Sequence, residues 1–127
     1  MLRRVLIVDD EPNVRRTLAM AFRLSGFEVE EAAGSDSARL ALEAGSFDAA
    51  LVDLMLPEVN GLELARWMRT FCPTLRVILM SGYHLSERQI ERADAGIAGF
   101  LAKPFRVDDA VRVCEECIGA VRQRAVG

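Results

Sequence analysis

Three short, wholly apolar runs constrain the fold of this chain more than any other feature of its sequence. They cover residues 5–8, 49–52 and 77–80. Continuous apolar runs of this length are typical of strands that are buried on both faces, as in a parallel sheet. Residues 27–30 instead alternate between apolar and acidic side chains, which predicts an edge strand with one face in water. A shorter apolar run at residues 100–102 predicts a fifth strand.

Apolar residues at helical spacing fill the segments between and after these strands and predict five helices. The first begins at Pro12, a residue type favoured in a first helical turn, and ends before Gly26. The others are expected over residues 35–44, around Leu64, Ala65 and Met68, from a capping box that opens at Ser86, and from near Asp108 to about Val121.

This alternation of strands and helices predicts an α/β fold, a doubly wound five-stranded parallel sheet with helices on both faces. When the alternating second strand and the short fifth strand occupy the edges, the strand order is 2-1-3-4-5, the flavodoxin-like arrangement. Ligands bind such sheets beyond the carboxyl ends of the strands, at the switch point between strands 1 and 3. We therefore expect one domain over residues 1–121, a tail at residues 122–127 and a site at that switch point.

Composition narrows the classes of protein to which the chain can belong. Its 127 residues carry a net charge of −3, which gives no support for direct nucleic-acid binding by this domain. No apolar run reaches the roughly 18 residues of a membrane span, so we expect a cytoplasmic protein that makes no membrane contact. The three cysteines form no disulfide framework, as expected in a reducing compartment. Cys114 and Cys117 lie one turn apart inside the last predicted helix, where core packing is the expected role.

Polar and charged residues follow the buried strands at their carboxyl ends. Asp9 and Asp10 follow strand 1, Asp53 follows strand 3, Ser81 follows strand 4 and Lys103 follows strand 5. Strands 1 and 3 are neighbours in the expected order, so the three carboxylates should meet, and the lysine must reach across strand 4 to join them. An aspartate at a strand end alone could serve as a helix cap, but the set of five residues together predicts a site.

The residue types of this set point to phosphoryl chemistry. Clustered carboxylates repel one another unless a cation compensates them, and oxygen ligands without histidine or cysteine favour Mg²⁺ before Ca²⁺. Mg²⁺ is commonly held by one or two carboxylates together with a phosphate oxygen, and an aspartate can be the nucleophile that becomes phosphorylated. A lysine and a serine hydroxyl can then bind the oxygens of the transferring group.

With Asp9-Asp10, Asp53, Ser81 and Lys103-Pro104 each closing a buried strand, the chain resembles the receiver (CheY-like) domain of two-component response regulators. The resemblance extends over about residues 3–121. It implies that Asp53 is the phosphoacceptor and takes a phosphoryl group from the phosphohistidine of a histidine kinase, with catalytic help from Lys103 and Ser81. It also implies that the domain catalyses only its own phosphorylation and dephosphorylation and is not otherwise an enzyme.

The same resemblance implies a set of Mg²⁺ ligands. Asp10 and Asp53 would bind the ion directly, together with the backbone carbonyl of Met55. Asp9 would act mainly through a metal-bound water.

The resemblance further implies that Ser81 and Phe100 carry the conformational switch. Ser81 would move toward the phosphoryl group and Phe100 would turn inward, which changes the face formed by strand 4, the fourth predicted helix, strand 5 and the fifth predicted helix. Serine stands here where threonine is commoner, and phenylalanine where tyrosine is commoner, so the aromatic residue has no hydroxyl for a partner. The peptide bond before Pro104 is similar to one that is cis in the family.

Two residues are expected to control the access of water to this site. Met55 and Tyr83 each lie two positions beyond a site residue, and their apolar and bulky side chains should slow the attack of water on an aspartyl-phosphate. His84, the single histidine, is interpreted as a surface loop residue.

The implied partners are a sensor histidine kinase or phosphotransfer protein and a downstream effector or attached output domain. A phosphorylation-dependent homodimer, a free-standing regulator and a piece of a longer regulator or hybrid kinase all stay open. Two other functions compete with this interpretation. A phosphohydrolase of the haloacid dehalogenase type needs Asp-x-Asp after its first strand, and Asp9-Asp10-Glu11 does not provide it. A degenerate receiver that takes no phosphate is disfavoured because every site residue is present.

Overall fold

Five strands alternate with helices in the computed structural model of the chain, which describes residues 2–82 and 96–126. The strands are β1 (Arg4–Val8), β2 (Glu28–Ala32), β3 (Ala49–Asp53), β4 (Arg76–Ser81) and β5 (Gly99–Ala102). The helices in the described ranges are α1 (Pro12–Leu24), α2 (Ser35–Ala44), α3 (Gly61–Phe71) and α4 (Val107–Val126). The helix predicted to open at Ser86 lies outside the described residues.

All five strands form one parallel sheet in the order β2-β1-β3-β4-β5. The predicted fold class and strand order are therefore confirmed. Val8 pairs with Val52, so the residues that follow β1 lie beside the end of β3. Ser81 pairs with Ala102, which brings the end of β4 beside the start of the segment after β5.

Two apolar clusters cover the two faces of the sheet, because successive residues of a buried strand point to opposite sides. On one face, alternate strand residues such as Leu6, Val52 and Leu79 pack with residues of α2 and α3. On the other face, Ile7, Leu51 and Met80 are among those that pack with α1 and α4. Both clusters include residues at or beside the carboxyl ends of the strands, such as Val8 and Met80, so the loops at that edge start from closely packed strands.

One edge of the sheet is β2, as its alternating sequence predicts. Glu28 and Glu30 are exposed on this strand, while Ala32 is buried. Arg4 of β1 reaches both carboxylates, at 3.4 Å from Glu28 and 3.8 Å from Glu30. The strand begins and ends slightly later than residues 27–30, because Phe27 precedes it and packs into the core.

The helix termini agree with the sequence at the start of α1 and differ at the end of α4. Pro12 stands in the first turn of α1, and Gly26 follows its end with a φ of 91°. The last helix continues to Val126, past the expected end near Val121. The division into a domain over residues 1–121 and a tail stays a prediction.

The cysteine interpretation is confirmed for both residues on α4. Cys114 is fully buried, and Cys117 packs against the same cluster from a partly buried position. In the described ranges, no helix combines the length and the apolar character needed to cross a membrane.

Candidate functional site

Three carboxylates meet at the carboxyl edge of the sheet, where β1 and β3 lie side by side. Asp9 and Asp10 directly follow β1, and Asp53 is the last residue of β3. One carboxylate oxygen from each lies within 4.8 Å of the others. The strand register explains this approach, since Val8 is paired with Val52 and the next residue of each strand continues side by side.

Asp9 is fully buried and shapes the turn between β1 and α1. Its amide donates to the carbonyl of Ala32 at 3.1 Å, and its Oδ1 accepts a hydrogen bond from the amide of Glu11 at 2.9 Å. Asp10, between them, is exposed at the mouth of the site. The turn thus holds one carboxylate inside and presents the other to solvent.

Asp53 is almost as buried, with 5% of its surface exposed. Its Oδ1 accepts a hydrogen bond from the amide of Met55 at 3.1 Å. The loop after Asp53 is closed by a backbone hydrogen bond, in which the amide of Gly61 donates to the carbonyl of Leu54 at 2.9 Å. The carboxylate is therefore fixed by its own loop and opens toward the other acids.

Lys103 reaches across the end of β4 and lies between two of the carboxylates. Its Nζ is 3.2 Å from Asp9 Oδ2 and 3.3 Å from Asp53 Oδ2. Its amide donates to the carbonyl of Ser81 at 2.7 Å, and its bond to Pro104 is cis. One ammonium is thus shared by two buried acids.

Burial and neighbouring charges shift the pKa values of Asp53 and Lys103, and both pKa values are raised. Burial raises the pKa of Asp53, and the charge of Asp9 adds to that rise, against the Met55 hydrogen bond and Lys103. Burial would lower the pKa of Lys103, but Asp9 and Asp53 together raise it above its ordinary value. The lysine is therefore firmly charged, and the carboxylates still lack full compensation.

The donor set at this edge fits a hard divalent cation. Within the described part of the chain, the three acids are grouped closely enough to share one ion. All their donor atoms are oxygens, which suit Mg²⁺ or Ca²⁺ better than zinc or copper. The residues present are therefore compatible with the Mg²⁺ that the sequence led us to expect.

The two expected switch residues lie on neighbouring strands. Ser81 is the last residue of β4 and is fully buried. Phe100, on β5, pairs with Leu79 and packs from a partly buried position against the cluster under α2 and α3. Met55 is half exposed beside Asp53, whereas Tyr83 and His84 lie outside the described residues.

The family follows from comparison with known proteins. Residues 5–115 match the family model of the response regulator receiver domain. The chain belongs to this family. As a receiver domain of two-component response regulators, it is a signalling domain that is phosphorylated on an aspartate.

Individual relatives support the same assignment. The receiver is similar to the regulatory protein AtoC of Escherichia coli strain K12, with 37% identity over 108 residues that cover 85% of this chain and 23% of AtoC. The chain spans less than half the length of AtoC and of the transcriptional regulatory proteins TcrX and AlgB that it also matches.

Solved structures resemble the receiver over nearly all of its length. A CheY-like response regulator receiver domain protein from Methanospirillum hungatei JF-1 has a TM-score of 0.91 and 27% identity, and the match covers 98% of this chain and 99% of that one. The response regulator TrrA of Thermotoga maritima, solved in complex with Mg²⁺-BeF, has a TM-score of 0.80 and 26% identity, with coverage of 91% and 99%.

One residue at this edge of the receiver was not singled out from the sequence. Arg15, on α1, donates from Nη1 to the carbonyl of Asp9 at 2.8 Å. Its Nε lies 3.4 Å from Glu31 at the end of β2. An arginine at the end of the first helical turn is a common surface residue in sequence terms, so no local pattern separates Arg15 from Arg16.

Proposed function

We propose that this receiver accepts a phosphoryl group on Asp53 from the phosphohistidine of a sensor histidine kinase or a phosphotransfer protein. The observation that carries the proposal is the position of the Asp53 carboxylate. It lies 3.3 Å from the Lys103 ammonium and within reach of the carboxylates of Asp9 and Asp10. A nucleophile, a fixed cation and a set of metal ligands thus meet at one edge of the sheet.

The chain's own residues have distinct tasks in the transfer. A carboxylate oxygen of Asp53 attacks phosphorus, the new P–O bond forms as the P–N bond breaks, and the electron pair returns to the leaving imidazole nitrogen, which takes up a proton. Lys103 holds a fixed positive charge beside the oxygens of the transferring group, where charge must be stabilised. The hydrogen bond from the Met55 amide keeps the carboxylate oriented without neutralising it.

Mg²⁺ is the cofactor that this arrangement favours. The carboxylates of Asp10 and Asp53 and the backbone carbonyl of Met55 would hold the ion, and Asp9 would assist through a bound water. The ion would offset the negative charge of the acids and of the incoming phosphoryl group. The Mg²⁺-BeF complex of the related TrrA supports this choice of metal.

The switch that follows phosphorylation would run through Ser81 and Phe100. The Ser81 hydroxyl stands at the end of β4, from where a small movement would bring it to a phosphoryl oxygen of Asp53. The inward turn of Phe100 would then change the face formed by β4, β5, α4 and the segment between β4 and β5. The partly buried position of Phe100 supports the proposal, because a fully packed ring could not move in this way.

Access of water is a second property that nearby residues would set. The exposed apolar side chain of Met55 borders Asp53, and Tyr83 follows Ser81 closely in sequence. We propose that both slow hydrolysis of the aspartyl-phosphate. The proposal fails if Tyr83→Ser and Met55→Asn leave the dephosphorylation rate unchanged.

The recipient of the signal is proposed from the nature of the relatives. AtoC and TcrX are regulatory proteins that are more than twice as long as the matched region. We propose that the switched face of this receiver controls an output module of a longer regulator or a separate effector. A homodimer through the same face would appear in size-exclusion chromatography as a shift that depends on phosphorylation.

Acetyl phosphate provides the test of the proposed acceptor without a kinase. With Mg²⁺ present, intact-mass spectrometry should show one added phosphoryl group on the wild type and on Asp36→Asn, an exposed acid on α2. Asp53→Asn should show none. Labelling of Asp53→Asn, or equal labelling of the wild type in EDTA, would contradict the proposal. Rapid turnover of many phosphoesters would instead favour a phosphohydrolase.

A further inference from the structure

Arg15 donates a hydrogen bond to the backbone of the turn between β1 and α1, which contains Asp9 and Asp10. Its side chain is 13% exposed, and its Nη1 donates to the backbone carbonyl of Asp9 at 2.8 Å. Its Nε lies 3.4 Å from Glu31 Oε1. The neighbouring Arg16 is exposed on the same helix. Of these two adjacent arginines, Arg15 therefore contacts the turn that contains Asp9 and Asp10, and Arg16 faces solvent.

The carbonyl that Arg15 holds belongs to the peptide group between Asp9 and Asp10. A peptide group is planar, so its oxygen, its amide nitrogen and the following Cα move as one body. Fixing the Asp9 oxygen therefore restrains the position of the Asp10 Cα, the point from which that side chain leaves the backbone. Among the described residues, the Asp10 carboxylate has no hydrogen bond or ion pair of its own, so its aim depends on this backbone.

We infer that Arg15 is a positioning residue for the divalent cation, acting through the Asp9–Asp10 peptide group to aim the Asp10 carboxylate. The inference rests on the proposed function of the acidic site. Arg15 itself touches neither the ion nor the phosphoryl group. Its removal should loosen the turn and weaken cation binding.

Two simpler roles for Arg15 make different predictions. If Arg15 only connects α1 to β2 through its ion pair with Glu31, loss of either residue should have the same effect on stability. The affinity for the cation should then not change. If it acts only as a positive charge near the acids, its neutralisation should tighten cation binding, because a like charge disappears. A positioning role predicts the opposite sign, namely weaker binding after neutralisation.

Calorimetric titration of the unphosphorylated protein with MgCl₂ separates these roles. Arg15→Met should weaken Mg²⁺ binding by about tenfold or more, the range found when a group that orients a metal ligand is removed. Glu31→Gln keeps the bond to the Asp9 carbonyl, and Arg16→Met removes an equal charge from the exposed neighbour. Both should bind Mg²⁺ within about twofold of the wild type. Arg15→Lys, which keeps a donor for the carbonyl, should recover part of the loss.

Phosphorylation kinetics give a second readout. With acetyl phosphate, Arg15→Met should be slow at limiting Mg²⁺ and approach the wild-type rate at saturating Mg²⁺, because the Asp53 and Lys103 groups are intact. Should Arg15→Met fail to fold by circular dichroism, Arg15→Gln, too short to reach the carbonyl, takes its place in both experiments. Unchanged or tighter Mg²⁺ binding in the Arg15 variants overturns the inference alone. Absence of Mg²⁺ binding by the wild type overturns the proposed function and the inference with it.

Discussion

At the scale of single residues, the carboxyl edge of the sheet holds charged side chains that are buried away from water. Asp9 and Asp53 are buried carboxylates, and together they have the one ammonium of Lys103 as an ion-pair partner within the described ranges. A buried acid that loses its partner is costly, because no water replaces the lost interaction. The lysine therefore stabilises the resting site, in addition to the role in transfer that we propose for it.

Replacement of the shared cation should slow phosphorylation strongly. Lys103→Met removes the charge beside Asp53, and we expect the rate with acetyl phosphate to fall by about 10²-fold, as when one transition-state donor is removed. Lys103→Arg keeps the charge but not the compact ammonium, and it should retain more of the rate. The rates are measured by intact mass at saturating Mg²⁺. A Lys103→Met rate within a factor of two of the wild type would show that the lysine is not needed.

The cysteines should differ in how fast iodoacetamide alkylates them, because their thiols differ in burial and pKa. Burial raises the pKa of Cys114 to about 12, and the neighbouring Cys117 adds to the rise. The thiolate is the reactive form, so Cys114 should stay unalkylated by iodoacetamide at pH 8 and react only in urea. Cys72, which is partly exposed, should react first in the native protein. Peptide mapping after a time course decides the order, with Cys72→Ser as the control for the fast phase.

At the scale of an element, the segment from β3 to α3 connects Asp53, the proposed acceptor, to the packing of a helix. Asn60 caps α3, since its Oδ1 accepts a hydrogen bond from the amide of Leu62 at 2.8 Å. Gly61, the first residue of α3, lies against the backbone of Asp53 and Leu54. Because these contacts involve backbone atoms, the start of the helix and the position of Asp53 cannot change independently.

Gly61→Ala should therefore destabilise the receiver. A Cβ there would overlap the carbonyl oxygen of Asp53 and lie 2.6 Å from the Cα of Leu54, so the loop must shift. We expect a loss of about 1–3 kcal/mol in the free energy of unfolding, measured in urea. Gly119→Ala, within α4, is the control, because a Cβ there would meet no atom of the described residues within 4 Å, apart from the backbone of its own helix. It should stabilise the protein by about 0.5–1 kcal/mol. Equal effects of the two changes would contradict this account of the loop.

At the scale of the whole molecule, much of the architecture follows from sequence patterns, and the rest depends on tertiary contacts. The apolar runs that form β1, β3 and β4 predicted buried parallel strands, and the strand order brought Asp9 beside Asp53. The reach of Lys103 could be expected from strand spacing. The hydrogen bond from Arg15 to the Asp9 carbonyl could not be expected, because it depends on the rotation of α1 about its own axis relative to the sheet. The end of α4 was also missed, since helix ends fray without a strong stop signal.

Cation binding at one edge should be transmitted to the stability of the whole domain. A ligand that binds the folded state alone raises the free energy of unfolding, by about 2.7 kcal/mol at one hundred times its dissociation constant. We expect the urea midpoint of the wild type to rise with Mg²⁺ and that of Asp10→Asn to respond little.

Without Mg²⁺, Asp10→Asn should be more stable than the wild type, because one of the crowded charges is gone. Glu43→Gln, an exposed acid on α2, controls for net charge and should respond to Mg²⁺ as the wild type does. A full Mg²⁺ response in Asp10→Asn would remove that residue from the set of ligands.

The acidic open edge at β2 has a consequence for how this receiver behaves when many copies are crowded together. A bare strand edge invites pairing with the edge of another molecule, which is a common route to aggregation. Here Glu28 and Glu30 share the guanidinium of Arg4, and Glu31 pairs with Arg15 and Arg23, so charged side chains line the whole strand. Two such edges brought together would place like charges opposite each other. The β2 edge is thereby protected from edge-to-edge polymerisation when many copies of the domain are held at high local density.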